Sequence, residues 1–401
     1  MLVLAVLLAG CQPHIDLVRP EAPRQTKYLP QNETASVAAV HVSLGAAAPD
    51  AWWRVLGSDK IDRLVSLALT NNQSLASAQA HLSAARDRLR AARGALYPQV
   101  DAGASAQRTR FGATTLGPLA KDFPLFSAYS AGPEVSYDVD LFGATRWRIE
   151  RAAGTAQLES AQLRAVALSI SGNVVIQVLQ TASLRSQIRV AEQIVAEDDR
   201  MLSLIRAARE AGAVSTMDVL SARSQADHDR TLLPPLRQLL SAAEDALASL
   251  VGAAASDWTA PEVDLDELRL PHDLPVALPS DLVHRRPDIL AAEARLREAG
   301  AAVGIATTNM YPRLTLSARV GEEGLIGGGP SETAWNLLGG MTAPIFHGGS
   351  LSAERRAAQD DYRASVAAYQ QTVLDAFNQV AATLQALGDD ADSLTAQQQA
   401  L

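Results

Sequence analysis

The chain has a single cysteine, three lysines and an aromatic content of 4% in 401 residues, and each scarcity removes a class of protein. The lone Cys11 excludes a disulfide framework within the chain and any zinc cluster built on cysteine. Lys27, Lys60 and Lys121 are the lysines, the net charge is -9, and no basic stripe carries interleaved aromatics, which argues against a nucleic-acid partner. His14, His41, His81, His228, His272, His284 and His347 are scattered without the spacing of a helical metal pair and third ligand. No glycine-rich loop runs into Lys-Ser/Thr to cradle a phosphate, and Gly324 to Gly329 lies between two expected strands. The acidic doublets Asp198-Asp199 and Asp389-Asp390 read as solvated helix faces. No reactive constellation emerges, so the expectation is a protein that is not an enzyme and needs no metal or dissociable cofactor. Few aromatics leave little to anchor one thick core, whereas abundant alanine suits long helices packed side by side.

What the chain does have is an internal repeat. Tyr97-Pro98 and Tyr311-Pro312 lie 214 positions apart, each at the end of an alanine-rich helical stretch. The same offset pairs Leu75 with Ile289, Ala78 with Ala292, Ala80 with Ala294, Leu82 with Leu296, Ala85 with Ala299 and Leu89 with Val303. Beyond the Tyr-Pro the offset becomes 205, where Gly143 meets Gly348 and Arg151-Ala152-Ala153 meets Arg356-Ala357-Ala358.

Residues 2 to 10 form an apolar run too short to span a bilayer, which needs about 20 residues, and fit a signal-peptide core. Residues 12 to 50 hold Pro13, Pro20, Pro23, Pro30 and Pro49 without a sustained period and read as an extended tether. Helix is expected from near Ser58 to about Ala95, broken at Asn71-Asn72, with Leu64, Leu67, Ala68, Leu75, Ala78, Leu82, Ala85 and Leu89 at helical spacing. After Tyr97-Pro98 the period becomes two. Val100, Ala102, Ala104 and Ala106 alternate with Asp101, Gly103, Ser105 and Gln107; Val135, Tyr137, Val139 and Leu141 alternate with Glu134, Ser136, Asp138 and Asp140. In the second copy Leu314, Leu316, Ala318 and Val320 alternate with polar partners, and a weaker fourth strand puts Leu337, Met341, Ala343 and Ile345 on one side. Loops around Gly112 to Phe126 and Gly324 to Pro330 separate the strands of each pair. Such alternation suits a lipid-facing barrel strand and a half-buried soluble sheet equally. Four strands cannot close a membrane barrel, whose known minimum is about eight, so a barrel would have to be shared.

From Ala144 to Ala211 there is no proline, and a continuous helix there would reach on the order of 100 Å. Gly212-Ala213-Val214-Ser215 breaks it, Ser215 is a candidate N-cap for a return to Leu250, Pro234-Pro235 should kink that return, and Pro287 opens the second-copy helix.

These residues resemble the TolC-like outer-membrane efflux proteins, and within them the lipid-anchored (NodT-type) branch. Trp52-Trp53 with Leu56-Gly57, Leu67-Ala68-Leu69 and Asn71-Asn72 is similar to the family's N-terminal signature, and Leu278-Pro279-Ser280-Asp281-Leu282-Val283-His284-Arg285-Arg286-Pro287-Asp288-Ile289 to its inter-repeat segment. Tyr137-Asp138-Val139-Asp140-Leu141-Phe142-Gly143 and Ala343-Pro344-Ile345-Phe346-His347-Gly348-Gly349 resemble its two strand-to-helix turns. Leu8-Ala9-Gly10-Cys11 resembles a bacterial lipobox, which implies a diacylglycerol thioether and an N-acyl chain on Cys11; Gln12 after it implies outer-membrane sorting. No Lys or Arg precedes Cys11, so the true start is expected upstream of Met1.

The resemblance implies a mainly α fold with β, made of two repeats, with long antiparallel helical hairpins and four strands per chain pooled in a homotrimer into a twelve-stranded β-barrel. It implies a passive exit duct for small molecules across the outer membrane and periplasm, docked on a periplasmic adaptor and an inner-membrane pump. The expected divisions are a signal peptide (1–10), anchor and tether (11–50), first repeat (51–260), linker (261–280) and second repeat (281–401). In that family the first hairpin tip meets the adaptor, which here assigns Arg209, Gly212, Val214, Ser215, Asp218 and Leu220. Glu134, Asp138 and Asp140 are the expected pore-lining groups, and Gly143, Gly348 and Gly349 the strand-to-helix turns. Under the 205 offset Gly212 corresponds to position 417, so the second tip is expected to be missing from a sequence that stops at Leu401, and a non-functional truncated channel is one alternative. The other is a periplasmic coiled-coil adaptor or scaffold, against which the four strands argue.

Overall fold

The computed structural model describes residues 28, 41–44, 49, 51–110, 125–269, 273–276 and 279–400, so Cys11 and most of the expected tether lie outside the described residues. The chain divides into two compact units. One contains Ser83–Glu159 and Ala291–Thr372, and the other Ala22–Leu82, Ser160–Leu290 and Val373–Leu401.

In chain order the elements are β1 (His41–Leu44), α1 (Asp59–Asn71), α2 (Gln73–Gly94), β2 (Gln99–Thr109), β3 (Phe126–Val139), α3 (Ala144–Glu210), α4 (Thr216–Arg230) and α5 (Leu233–Leu250). They continue with β4 (Asp273–Val276), α6 (Pro279–Arg285), α7 (Pro287–Thr308), β5 (Arg313–Leu325), β6 (Glu332–Thr342) and α8 (Ser350–Ala400). The succession helix, strand, strand, long helix thus occurs twice, as α2-β2-β3-α3 and as α7-β5-β6-α8.

The second unit is helical, with β1 and β4 adding a short parallel pair. Its core joins Ile61, Leu64, Val65 and Ala68 of α1 to Ile170, Val174 and Val178 of α3 and to Leu247 and Val251 at the end of α5. The break expected at Asn71-Asn72 is present, and Asn72 holds it from both sides. Its Nδ2 donates to Leu250 O at 2.9 Å, while its Oδ1 accepts from Ser74 N at 2.9 Å and so caps α2. Gly252, at φ 76°, lies so close to Asn71 that a Cβ would fall 2.5 Å from the carbonyl oxygen. Ion pairs brace the elements around this core, among them Arg185 with Glu244 at 2.7 Å and Lys60 with Glu267 at 2.9 Å.

Proline acts more strongly on the returning helix than expected. Instead of bending one helix, Pro234 and Pro235 sit in the first turn of a new one, α5, where missing N–H groups cost nothing; α4 has already ended at Arg230.

The first unit carries the four-stranded antiparallel sheet, in the order β2-β3-β5-β6. Its helical part packs Leu296 and Val303 of α7 on Tyr362 of α8. Two glycines permit close approach there: a Cβ on Gly304 would fall 2.2 Å from the Trp147 ring, and one on Gly154 would fall 2.8 Å from the Glu298 side chain. The fourth strand is shorter than its sequence pattern suggests. β6 ends at Thr342, so Ala343 and Ile345 lie in the connector to α8, where Pro344 cannot donate a ladder hydrogen bond.

Candidate functional site

The register of the sheet sorts its side chains onto two faces. Glu134 of β3 lies between Asp101 of β2 and Arg319 of β5, and Arg319 lies next to Asn336 of β6. This row shares a face with Gln99, Ser105, Gln107, Ser130, Ser136, Asp138, Thr315, Ser317 and Glu323, because side chains two apart along a strand point the same way. On the other face the register aligns Val100, Val135, Ala318 and Leu337, and next to them Ala102, Pro133, Val320 and Trp335.

The apolar face is not a core. Val100 is 68% exposed, Trp335 75%, Leu337 74% and Met341 67%. A half-buried soluble sheet would put such residues against a second layer. The sheet also has two free edges, since β2 pairs only with β3 and β6 only with β5 among the described residues. In water such a sheet would be an aggregation template.

At its centre the sheet admits proline by thinning the contact. Gly132 lies opposite Gly321, and a Cβ on either would fall within 2.4 Å of a carbonyl oxygen across the β3–β5 junction. Pro133, which has no N–H to give, falls in that gap, where the β3–β5 pairing is interrupted between Ala131 and Glu134.

The three expected pore-lining acids separate. Glu134 and Asp138 lie on the polar face, with Asp138 accepting from Thr315 Oγ1 at 2.7 Å. Asp140 lies one residue beyond β3, and its carboxylate accepts from Thr145 N at 3.0 Å and Arg146 N at 3.1 Å, capping α3. The alternation placed Asp140 on the strand face; the chain leaves the strand at Val139, and the unsatisfied N–H groups at the start of α3 claim its side chain. Gly143, at φ 86°, then turns the chain into α3, and Gly348 and Gly349, at φ 59° and 83°, do the same before α8. These glycines lie in the connectors between strand and helix.

In the helical unit, Gly212, Val214 and Ser215 form the turn between α3 and α4, with Arg209 in the last turn of α3 and Asp218 in the first turn of α4. Gly212 takes the left-handed conformation at φ 75°, and Ala213 N reaches back to Ala208 O at 2.9 Å, closing α3. Ser215 and Asp218 form a reciprocal capping box: Asp218 N donates to Ser215 Oγ at 3.3 Å and Ser215 N to Asp218 Oδ2 at 2.7 Å. The Ser215 hydroxyl and amide hold the Asp218 carboxyl below its ordinary range. Arg209 is exposed, Val214 half-buried, and Met217 and Leu220 present apolar surface. The turn carries both an anion and exposed apolar groups.

Sequence reasoning missed one feature. The Phe142 ring stacks on Tyr311, centroids 4.9 Å apart and planes at 27°, fastening the end of β3 to the start of β5. Its signal was present, because Tyr311 belongs to the repeated Tyr-Pro and Phe142 to the repeated strand-to-helix turn.

Residues 64–253 and 278–401, most of the chain, match the family described as outer membrane efflux protein. The pyoverdine export outer membrane protein OpmQ of Pseudomonas putida is 30% identical over 86% of this chain and 74% of its own length. The toluene efflux pump outer membrane protein TtgF of Pseudomonas putida is 31% identical over 99% of this chain and 83% of its own. Among solved structures, the outer-membrane channel OprN superposes with a TM-score of 0.84 at 25% identity, covering 94% of this chain and 84% of that one. The chain belongs to the outer membrane efflux protein family. It is an efflux channel component of the outer membrane, related to TolC.

Proposed function

We propose that three copies of this chain pool their four-stranded sheets into one twelve-stranded barrel, forming a passive exit duct for small molecules. The reading is carried by the sheet's exposed apolar face and its two free edges. Lipid offers no hydrogen bonds to a strand edge, so a membrane sheet has to close, and four strands are too few to do so alone. In this reading Val100, Val320, Trp335, Leu337 and Met341 face lipid, and the row through Glu134 faces the water-filled interior. The two helix-strand-strand-helix successions are the two repeats, 51–260 and 281–401, joined by the linker 261–280.

Cys11 carries the lipid anchor in this reading, and the α3–α4 turn meets a periplasmic adaptor coupled to an inner-membrane pump. The names of the relatives, a pyoverdine exporter and a toluene efflux component, support a role in which the pump selects the cargo. The duct itself has no dedicated substrate pocket in this account.

Asp101, Glu134, Asp138 and Glu323 outnumber Arg313 and Arg319 on the interior face, which favours cations in the pore. The test is detergent extraction of the outer membrane, gel electrophoresis with and without heating, and planar-bilayer recording. A heat-sensitive trimer with cation-selective conductance, reduced when Glu134 and Asp138 are both neutralised, is expected. A salt-soluble periplasmic pool would reject the channel. Cys11→Ser should abolish the acylated mass, and an unchanged mass would reject the anchor.

A further inference from the structure

The helices adjoining the sheet all meet it at one end: α2 leads into β2, α3 leaves β3, α7 leads into β5 and α8 leaves β6. The other end, where β2 stops at Thr109 and β3 begins at Phe126, therefore points away from the helices and, in the proposed barrel, toward the cell exterior. On the apolar face β3 carries no charge from Val139 to Ser127, and β2 none from Val100 to Ala106. The first charge on either strand is Arg108, which lies opposite Ser127. Arg110 follows just beyond the end of β2.

The height of Arg108 follows from strand geometry. At about 3.4 Å per residue and a tilt of about 40°, the run from Val139 to Ser127 rises on the order of 30 Å. The apolar band of a membrane barrel is about 25 Å tall, so Arg108 stands at headgroup level. Tyr129, two residues nearer the membrane centre, has the place of an interfacial aromatic. Its ring lies over β5, where a Cβ on Gly324 would fall 2.8 Å from it, and its β2 partner is Ala106, so the surface beside Arg108 stays open. Both arginines are exposed, and neither side chain has a hydrogen bond or ion pair among the described residues. Glu322, the one acid on this face among the described residues, lies opposite Ala131, on the order of 15 Å from Arg108 between Cα positions. Two neighbouring cations at a lipid surface thus lack an anion.

We propose that Arg108, Arg110 and the Ser127 hydroxyl bind a phosphate monoester on the headgroup of a lipid in the outward-facing leaflet, one site per copy. The inference rests on the shared-barrel reading and adds the lipid that its outer rim holds. Charge selects the ligand. A zwitterionic headgroup brings its own cation and leaves the two guanidinium groups uncompensated, whereas a phosphate monoester carries a charge of about -1.5 to -2 at pH 7 and three acceptor oxygens. Guanidinium groups engage such oxygens through paired, parallel N–H donors. Ser127 adds a hydroxyl from the neighbouring strand; its main-chain oxygen is already taken by Ile326 N at 2.8 Å, and its hydroxyl has no partner among the described residues. The chain of the lipid then lies along the uncharged surface below, past Ala106 and Ala104.

Native mass spectrometry of the detergent-purified trimer, with lipid A as the probe, reads the site directly. Up to three lipid A molecules should bind per trimer, with phosphate-free lipid A and phosphatidylcholine held roughly tenfold more weakly. Arg108→Gln with Arg110→Gln should weaken lipid A binding by about tenfold or more while the trimer mass persists. Arg108→Lys with Arg110→Lys should keep part of the affinity, since the charge remains and the paired donors are lost. Undiminished lipid A binding by Arg108→Gln with Arg110→Gln would overturn the site and leave the barrel standing. Equal binding of phosphate-free lipid A by the unaltered trimer would overturn the phosphate, and this arm needs no variant to assemble. Full displacement of lipid A by millimolar inorganic phosphate would assign the site to the free anion and overturn the lipid. A chain found only as monomer would overturn the shared barrel and this site with it.

Discussion

The helical core and the sheet use the same kinds of residue to opposite ends. Ile61, Val65, Val174 and Leu247 are at most 1% exposed, each covered by other parts of its own unit. Val100, Trp335, Leu337 and Met341 are more than two-thirds exposed, although their strands are fully formed. The first is a core covered within a single chain. The other has satisfied its internal hydrogen bonds but neither its apolar face nor its edges, which in the proposed barrel are left to lipid and sister subunits.

The comparison breaks most sharply when a core residue is truncated. Leu247→Ala leaves a cavity among α1, α3 and α5 and should cost about 2–5 kcal/mol in denaturant unfolding of the helical unit, whether or not membrane is present. On the sheet, Leu337→Arg should cost about 2–4 kcal/mol if the position lies near mid-bilayer, read as loss of assembled trimer, while Leu338→Arg on the adjoining face leaves assembly intact. Equal sensitivity of the two neighbours would erase the distinction between faces.

Smaller effects sharpen the description of the hairpin. Ser215→Ala removes one half of the capping box and should weaken the start of α4 by about 1 kcal/mol, seen as faster hydrogen exchange at its first amides. The weakest effect is a pH dependence between α3 and α4. When protonated, Asp198 can donate a hydrogen bond to the Asp229 carboxylate, and this interaction holds the Asp198 carboxyl above its ordinary range. A raised folded value means that its contribution is present in full below the ordinary carboxylate range and fades as pH rises through the raised value. Asp198→Asn keeps a donor at every pH and should flatten this part of the melting profile.

The sequence made the periodic parts legible. Two-residue alternation located β2 and β5 and three-residue-and-four spacing located α1, α2 and α3, because each pattern reflects the face an element must turn to its surroundings. Ser215 was readable as a cap because its role is met within one turn. The failures lie where an element stops. Asp140 continued the strand alternation and is claimed by a helix terminus; Ala343 and Ile345 continued it past the point where Pro344 ends the ladder. The Pro234-Pro235 pair read as a kink and opens a new helix. The Phe142–Tyr311 stack joins residues far apart in sequence, and no local period encodes such a pair.

The decisive measurement is solvent access along β6 in intact outer membranes, using single cysteines from 334 to 341 in a Cys11→Ser background and a water-soluble maleimide. Labelling that alternates, strong at Leu338→Cys and Asn336→Cys and absent at Leu337→Cys and Trp335→Cys, is the result this account predicts. Uniform labelling of both faces would place the sheet in water and contradict it.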